Sequence, residues 1–365
     1  MKTYVREAAA AIAALSMAVA LAACGGGDGG SADGAEDALK IGLLLPDATT
    51  ARWEKDDRPL LEKKIRELCA ECMVEHANGK GDVATQQQQV DSMIIRGVDV
   101  MVLAAVDAKA LQPAVRKADE ANVRVVAYDR LAEGPISGYV SFDGEEVGRL
   151  QGEGLLDALG DKADGGRIVM MNGDPTDPNA AAFRKGALSV LEDRVRIAKM
   201  YDTPGWRSEH AHTNMSGAIS TLGADNIDGV YSANDGLAAG VISALKANKI
   251  NPLPPVTGQD AELGGVQRIV TGEQYMSVYK PFEPQAAAGA EMAVALARGE
   301  NLDGIAEHTT VSSPTAQAVP AVLLTPVSLT VDNIKDTVVK DGLYTIDQIC
   351  TPKFRSACDK AGLTG

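Results

Sequence analysis

Positive charge is scarce in this sequence: 35 Lys and Arg stand against 50 Asp and Glu, a formal net charge of −15. With no basic footprint to neutralise phosphates, nucleic acid is not expected as a partner. Histidine is scarcer still. Of the four present, His210 and His212 are two apart, which on a helix turns them to different faces and makes a poor metal pair. His76 and His308 stand alone and are expected at the surface. No G-x-S-x-G elbow, P-loop or dinucleotide fingerprint occurs, and the GGGDGG cluster does not follow a strand. An enzyme is therefore not expected, nor a metal or cofactor. Beyond residue 23 no apolar run is long enough to cross a membrane. Aromatic residues make up only 4% of the chain, so the core is expected to be mostly aliphatic. At 365 residues and 45% hydrophobic, the chain is read as globular, with room for two domains.

Residues 1–23 read as an export signal. Lys2 and Arg6 supply positive charge, and Ala8–Ala23 is an apolar run of 16 residues interrupted only by Ser16. That run is shorter than the roughly 20 residues a spanning helix needs. Leu21-Ala22-Ala23-Cys24 resembles the lipobox of bacterial lipoproteins. The likeness implies lipidation of Cys24 and a chain anchored at the outer face of the cytoplasmic membrane. Residues 24–38 have the Gly/Asp/Ser composition of a solvated tether. Four cysteines remain: Cys69 and Cys72 form a C-x-x-C, and Cys350 and Cys358 are a second close pair. A redox role needs the thiol at a helix N-terminus, where the dipole lowers its pKa. Cys69 instead follows the helical stretch LLEKKIREL. Two local structural disulfides are favoured in an exported chain, with a four-cysteine zinc site as the alternative.

After the tether, hydrophobic periodicity alternates between strand and helix. Strands are predicted at 40–45, 72–75, 98–106, 123–128 and 138–142, with helices at 52–68, 83–96 and 108–121 between them. The pattern repeats with strands at 167–171, 195–200, 229–231, 255–257 and 276–279. Helices at 145–159, 179–191, 208–222, 235–247, 263–269 and 284–298 accompany them. Gln86–Gln89 is read as solvated helix surface. The alternation implies an α/β fold of parallel sheets covered on both faces, in two doubly wound, Rossmann-like lobes that meet near Ser141–Asp143.

The strand ends carry the chemistry. The strand at 123–128 runs into Asp129 and Arg130, and that at 138–142 into Asp143. In open α/β sheets this edge is where ligands bind. Asp143 alone is read as a helix N-cap; Asp129 and Arg130 precede a loop and need another reason. Arg52 and Trp53 follow the first strand. Asp177, Asn179, Trp206, Asn234, Asp260 and Lys280 follow strands of the second half. These are planar, bidentate-capable groups together with both tryptophans of the chain. A sugar suits them, since its hydroxyls both donate and accept and its C–H faces stack on aromatic rings.

From Lys40 to about Gly342 the chain resembles the periplasmic sugar-binding proteins of ABC importers, which have the type I periplasmic binding protein fold. The segments ARWEKD, IIRGVDVMVL, VVAYDR, SFDGEEVG, DPTDPNA, SANDGLAAG, VTGQDAEL, SVYKP and LLTPV stand in the family's order. The likeness is greatest to the D-xylose-binding branch, with the multiple-sugar-binding branch just behind. It implies sugar contacts at Arg52, Trp53, Asp129, Arg130, Asp177, Asn179, Trp206, Asn234, Asp260 and Lys280. It also implies a three-strand hinge, with crossings near Ser141–Asp143, Pro281–Phe282 and Leu324–Pro326. The lobes are then 39–142 plus 283–324 and 143–282 plus 325–365. The implied function is capture of a monosaccharide, D-xylose first, by hinge closure and its delivery, by a monomer, to ABC permease subunits. Pro178 departs from the family, which often has asparagine there, and the cysteine pairs and the tail after Gly342 lie outside its pattern. Three other readings share the fold. A repressor would need a DNA-binding helix-turn-helix where the export signal stands. A sugar sensor serving a chemoreceptor or histidine kinase, or a glucose, galactose or arabinose binder, would use the same cleft.

Overall fold

The computed structural model describes residues 38–364. The expected signal, Cys24 and the tether before Ala38 lie outside the described residues. From Ala38 onward the chain forms one unit. It begins with β1 (Lys40–Leu45), α1 (Arg58–Leu68), β2 (Met73–Asn78), α2 (Val83–Ile95), β3 (Val100–Leu103), α3 (Gln112–Glu120), β4 (Arg124–Tyr128) and β5 (Gly138–Phe142). There follow α4 (Gly144–Leu159), β6 (Arg167–Met171), α5 (Pro178–Leu191), β7 (Arg196–Tyr201), α6 (Ser208–Leu222), β8 (Gly229–Ser232), α7 (Asp235–Ala247), α8 (Leu263–Thr271) and β9 (Ser277–Tyr279). The last part holds α9 (Phe282–Ala297), α10 (Asp303–Ala306), β10 (Thr310–Val311), β11 (Val319–Leu324), β12 (Val327–Leu329), α11 (Ile346–Ile349) and α12 (Arg355–Lys360).

The first lobe is built on a seven-stranded sheet in the order β10-β11-β5-β4-β3-β1-β2, parallel throughout except for β10–β11. Its inner strands are buried along nearly their whole length, because helices cover both faces. β1 shows how alternation serves two cores. Leu43 joins a cluster with Leu61, Ile65, Tyr128 and Ala293 under α1 and α9. Leu44 faces Val90, Met93, Leu111 and Val115 under α2 and α3. The second lobe has a parallel sheet, β7-β6-β8, and an antiparallel pair, β12–β9. Its α4 and α5 cross so closely that a Cβ at Gly148 or Gly186 would sit 1.9 Å from a carbonyl oxygen of the facing helix. Glycine is required at both positions. The chain passes between the lobes after β5, after β9 and after β11.

Several expectations change in detail. Residues 255–257 form a single bridge, Val230 with Val256. Pro252, Pro254 and Pro255 crowd that edge, and proline has no N–H to extend a ladder. The helix expected from residue 108 starts at Gln112, because Asp107 accepts the N–H groups of Lys109 and Ala110 and closes a turn first. Gln86 is fully buried, not solvated. Its amide donates to the Ala104 carbonyl at 2.9 Å and accepts from the Val106 N–H at 2.7 Å, so it satisfies backbone that leaves the sheet at the end of β3. Gln87 and Gln89 likewise donate to the carbonyls of Ala110 and Asn78. His76 is not a surface residue either. Its ring lies half-buried with Nε2 3.3 Å from Glu54, and burial pushes its pKa down despite that carboxylate.

Cys69 is the C-cap of α1 and is bonded to Cys72; Cys350 is bonded to Cys358 within the apolar cluster of the C-terminal tail. Among the described residues no cluster of His, Cys, Asp and Glu could hold a metal ion, and no helix is long and apolar enough to cross a membrane.

Candidate ligand-binding site

All ten strand-end residues named from the sequence line one cavity between the lobes. Each of the ten is at most 8% exposed. Thr50, Phe183 and Gln259 complete the lining. Phe183 lies one helical turn after Asn179 on α5, a spacing that could have revealed it. Asp143, by contrast, is exposed and caps α4 by accepting the Glu146 N–H.

The first lobe contributes a guanidinium held on every side. Arg52 stands at the entrance to a π-helical turn, Trp53–Asp57, that runs directly into α1. An i to i+5 turn brings Asp57 beneath Arg52, which an α-helix would not do. Asp57 receives the fork bidentately, Nε to Oδ2 at 2.7 Å and Nη2 to Oδ1 at 2.9 Å. Nη2 also donates to Gln285 Oε1 at 2.7 Å, and Nη1 to Asp129 Oδ1 at 2.9 Å. The rings of Trp53 and Phe282 stack on the same group at 4.6 and 4.3 Å. Tyr128 donates its hydroxyl to Asp57 at 2.6 Å.

Asp129 ends β4 in the left-handed region, φ 63°. Its carbonyl accepts from Tyr139, Ser141 and Asn179, which is how a conformation uncommon for a non-glycine residue is kept. Burial pushes the Asp129 carboxyl up, but Arg52, Lys280 and Arg130 outweigh it and hold the pKa at about 2. Arg130 donates to the Ala105 carbonyl at 3.0 Å and lies 5.6 Å from the Trp53 ring.

The second lobe meets this half across the cleft. Asp177 caps α5 by accepting the Asn179 N–H, and Pro178 occupies the first helical position, where a missing N–H costs nothing. The departure at Pro178 therefore leaves the loop intact. Asp177 Oδ2 accepts from Trp206 Nε1 at 3.1 Å and lies 2.8 Å from Arg130 Nε. Burial raises the Asp177 pKa in spite of Arg130. Trp206 packs on Gly173, where a Cβ would come within 2.0 Å of the indole, and stands edge-on to Phe183. Asn179 crosses to Asp129 Oδ2 at 3.0 Å. Asn234 caps α7 through Leu237 N–H, and Lys280 Nζ lies 3.0 Å from Asp260 Oδ1.

Two features define what fits. The lining holds three cations, Arg52, Arg130 and Lys280, and three carboxylates, Asp129, Asp177 and Asp260, so it is charge-balanced. Four of its buried polar atoms have no hydrogen-bond partner in the protein: the donors Trp53 Nε1 and Arg130 Nε, and the acceptors Gln259 Oε1 and Asp260 Oδ1. Arg130 Nε and Asp260 Oδ1 stand in ion pairs whose angles make no hydrogen bond. Buried polar atoms of native proteins are nearly always satisfied. A site that leaves both donors and acceptors open, walled by aromatic faces, matches a neutral ligand rich in hydroxyl groups.

Comparisons with known proteins agree with the architecture. The periplasmic binding protein domain family matches residues 41–301. The D-xylose-binding periplasmic protein of Escherichia coli K12 is 38% identical over 312 residues, covering 84% of this chain and 91% of the relative. A multiple sugar-binding periplasmic protein of Azospirillum brasilense is 33% identical, covering 85% and 91%. The solved ABC transporter solute-binding protein of Clostridium phytofermentans, with bound β-D-glucose, superimposes with a TM-score of 0.77. It is 29% identical, and the match covers 85% of this chain and 99% of that one. This chain belongs to the periplasmic binding protein domain family.

Proposed function

We propose that this protein captures a neutral monosaccharide, D-xylose before other pentoses and hexoses, between its two lobes and presents it to the permease subunits of an ABC importer. One observation carries the reading: a charge-balanced, buried cavity with an open donor at Trp53 Nε1, an open acceptor at Gln259 Oε1 and both tryptophans in its lining. Nucleotides would bring net negative charge that this lining has no surplus to meet. In this reading Trp53 and Trp206 stack on the sugar's C–H faces. Arg52, Arg130, Asn179, Asn234 and Lys280 donate to its hydroxyls, and Asp129, Asp177 and Asp260 accept from them. Charge-assisted hydrogen bonds contribute about 1.5–3 kcal/mol each, so a handful reach micromolar affinity after ordering costs. Xylose-binding and multiple-sugar-binding relatives support the ligand class. The lipobox supports attachment of the monomer to the membrane through Cys24, which mass spectrometry of the mature N-terminus tests.

A thermal-shift panel of pentoses, hexoses, amino acids and nucleosides tests the ligand class. At about 1,000 times its dissociation constant a ligand adds about 4 kcal/mol to the folded state, an easily read shift. A shift with amino acids or nucleosides and none with any sugar overturns the proposal. A larger shift with a hexose than with xylose corrects only the choice of sugar.

A further inference from the structure

The way Arg52 is held restricts what it can do. A guanidinium carries five N–H donors in a rigid plane. In Arg52 the Nε–H goes to Asp57, both N–H groups of Nη2 go to Asp57 and Gln285, and one N–H of Nη1 goes to Asp129. One donor is left. It is on Nη1, whose next neighbour is Asp260 Oδ1 at 3.8 Å, beyond hydrogen-bond reach. Asp129 and Asp260 both line the cavity, so the last N–H belongs to the cavity side.

Two of the groups that occupy the other donors, Asp57 and Gln285, do not line the cavity themselves. Asp57 and Gln285 are fully buried behind it, and Tyr128 braces Asp57 from the end of β4. Gln285 also lies 3.4 Å from Asp129 Oδ1 through Nε2, so one amide touches both members of the Arg52–Asp129 pair. It stands in the first turn of α9, just after the second passage between the lobes.

We infer that Asp57 and Gln285 are positioning residues: they lock Arg52 so that it presents a single N–H in one fixed direction and thereby sets which configuration of one ring hydroxyl is accepted. The inference rests on the proposed sugar reading and deepens it. An arginine free to pivot would offer a two-pronged fork and would follow a hydroxyl from one face of the ring to the other. A locked one discriminates, because the epimer leaves both its hydroxyl and the buried N–H unpaired.

The test uses the full chain and calorimetric titration with D-xylose and with pentoses that differ from it at one hydroxyl. Wild type is expected to prefer one configuration at one ring position. Asp57→Asn turns an N–H toward Arg52, and should weaken the preferred sugar about ten- to a hundredfold while weakening its epimer much less, so that the ratio at that position falls. Gln285→Met removes one strand of the lock and should act in the same direction with a smaller change. It carries the test alone if Asp57→Asn does not fold. A merely structural role lowers the melting temperature and every affinity together. Variants that bind all the pentoses with the wild-type ratios overturn the inference while leaving the sugar reading in place. A wild type that binds no sugar overturns both.

Discussion

The two faces of the cleft are built differently. On the first lobe, Arg52, Asp57, Tyr128, Asp129 and Gln285 form one closed set of hydrogen bonds, with nearly every donor and acceptor used. On the second lobe the lining groups are held by separate local contacts: Asp177 and Asn234 cap helix N-termini, Trp206 packs on Gly173 and donates to Asp177, and Lys280 lies against Asp260. The four unpartnered polar atoms divide evenly, Trp53 Nε1 and Arg130 Nε on the first lobe and Gln259 Oε1 and Asp260 Oδ1 on the second. The first face is thus an interlocked template around Arg52, and the second is a lid of separately held groups. Hinge closure is the general behaviour of periplasmic binding proteins.

The largest effect is expected on the template. Asp129→Asn removes the carboxylate shared by Arg52, Lys280 and Asn179 and leaves buried cations uncompensated. Breaking one partner of a buried pair costs roughly 3–5 kcal/mol. Denaturant unfolding without sugar should therefore show a large loss of stability. The matching change on the lid, Asp260→Asn, removes the close partner of one cation, Lys280, and should cost less stability while altering the ranking among sugars. Equal stability losses at both positions would erase the difference between the faces.

Asp129 and two buried acids of the second lobe should also respond to pH in opposite senses. Asp129 is held at about 2, below its unfolded value near 3.9, so its contribution is present above about pH 4 and is lost as pH falls through 2. That contribution is on the order of 2 kcal/mol. On the second lobe, burial pushes Asp235 up to about 7, against Arg268 and the hydrogen bond from Gln274. Burial and the neighbouring Asp235 push Glu262 up to about 8. A raised carboxylate stabilises the fold most below its unfolded value, and that stability is lost as pH rises through 7 to 8. Melting temperature against pH should fall at both ends, and Asp235→Asn should flatten only the alkaline limb.

A smaller effect separates stacking from polar reading. Trp206→Ala should weaken pentoses and hexoses alike, because a ring face and not one hydroxyl is read. The disulfides should matter least. Their sequence separations are 3 and 8, and such short loops remove little chain entropy, about 2–3 kcal/mol at most. Thiol titration of denatured, unreduced protein should find none of these four cysteines reactive.

Much of this was legible before any coordinates. A strand that ends on Asp129 announces ligand chemistry, and helices that begin after Asp177 and Asn234 announce their caps. The support behind Arg52 was not legible. A π-helical turn differs from an α-helical one by a single residue per turn, and RWEKDDRP reads equally well as the start of an ordinary helix. Gln86 sits in a polar run whose neighbour Gln88 is exposed, and only the end of β3 explains its burial. The left-handed backbone at Asp129, Trp206 and Asp260 is imposed by tertiary contacts against local preference. Position in the fold reached these residues; propensity could not.

Calorimetric titration of the full chain with D-xylose tests the central claim most directly. The account predicts one site per chain with roughly micromolar affinity, about −8 kcal/mol, abolished by Asp129→Asn and retained with reduced strength in Trp206→Ala. Absence of binding to D-xylose and to every other pentose and hexose, together with saturable binding of an amino acid or a nucleoside, would contradict it.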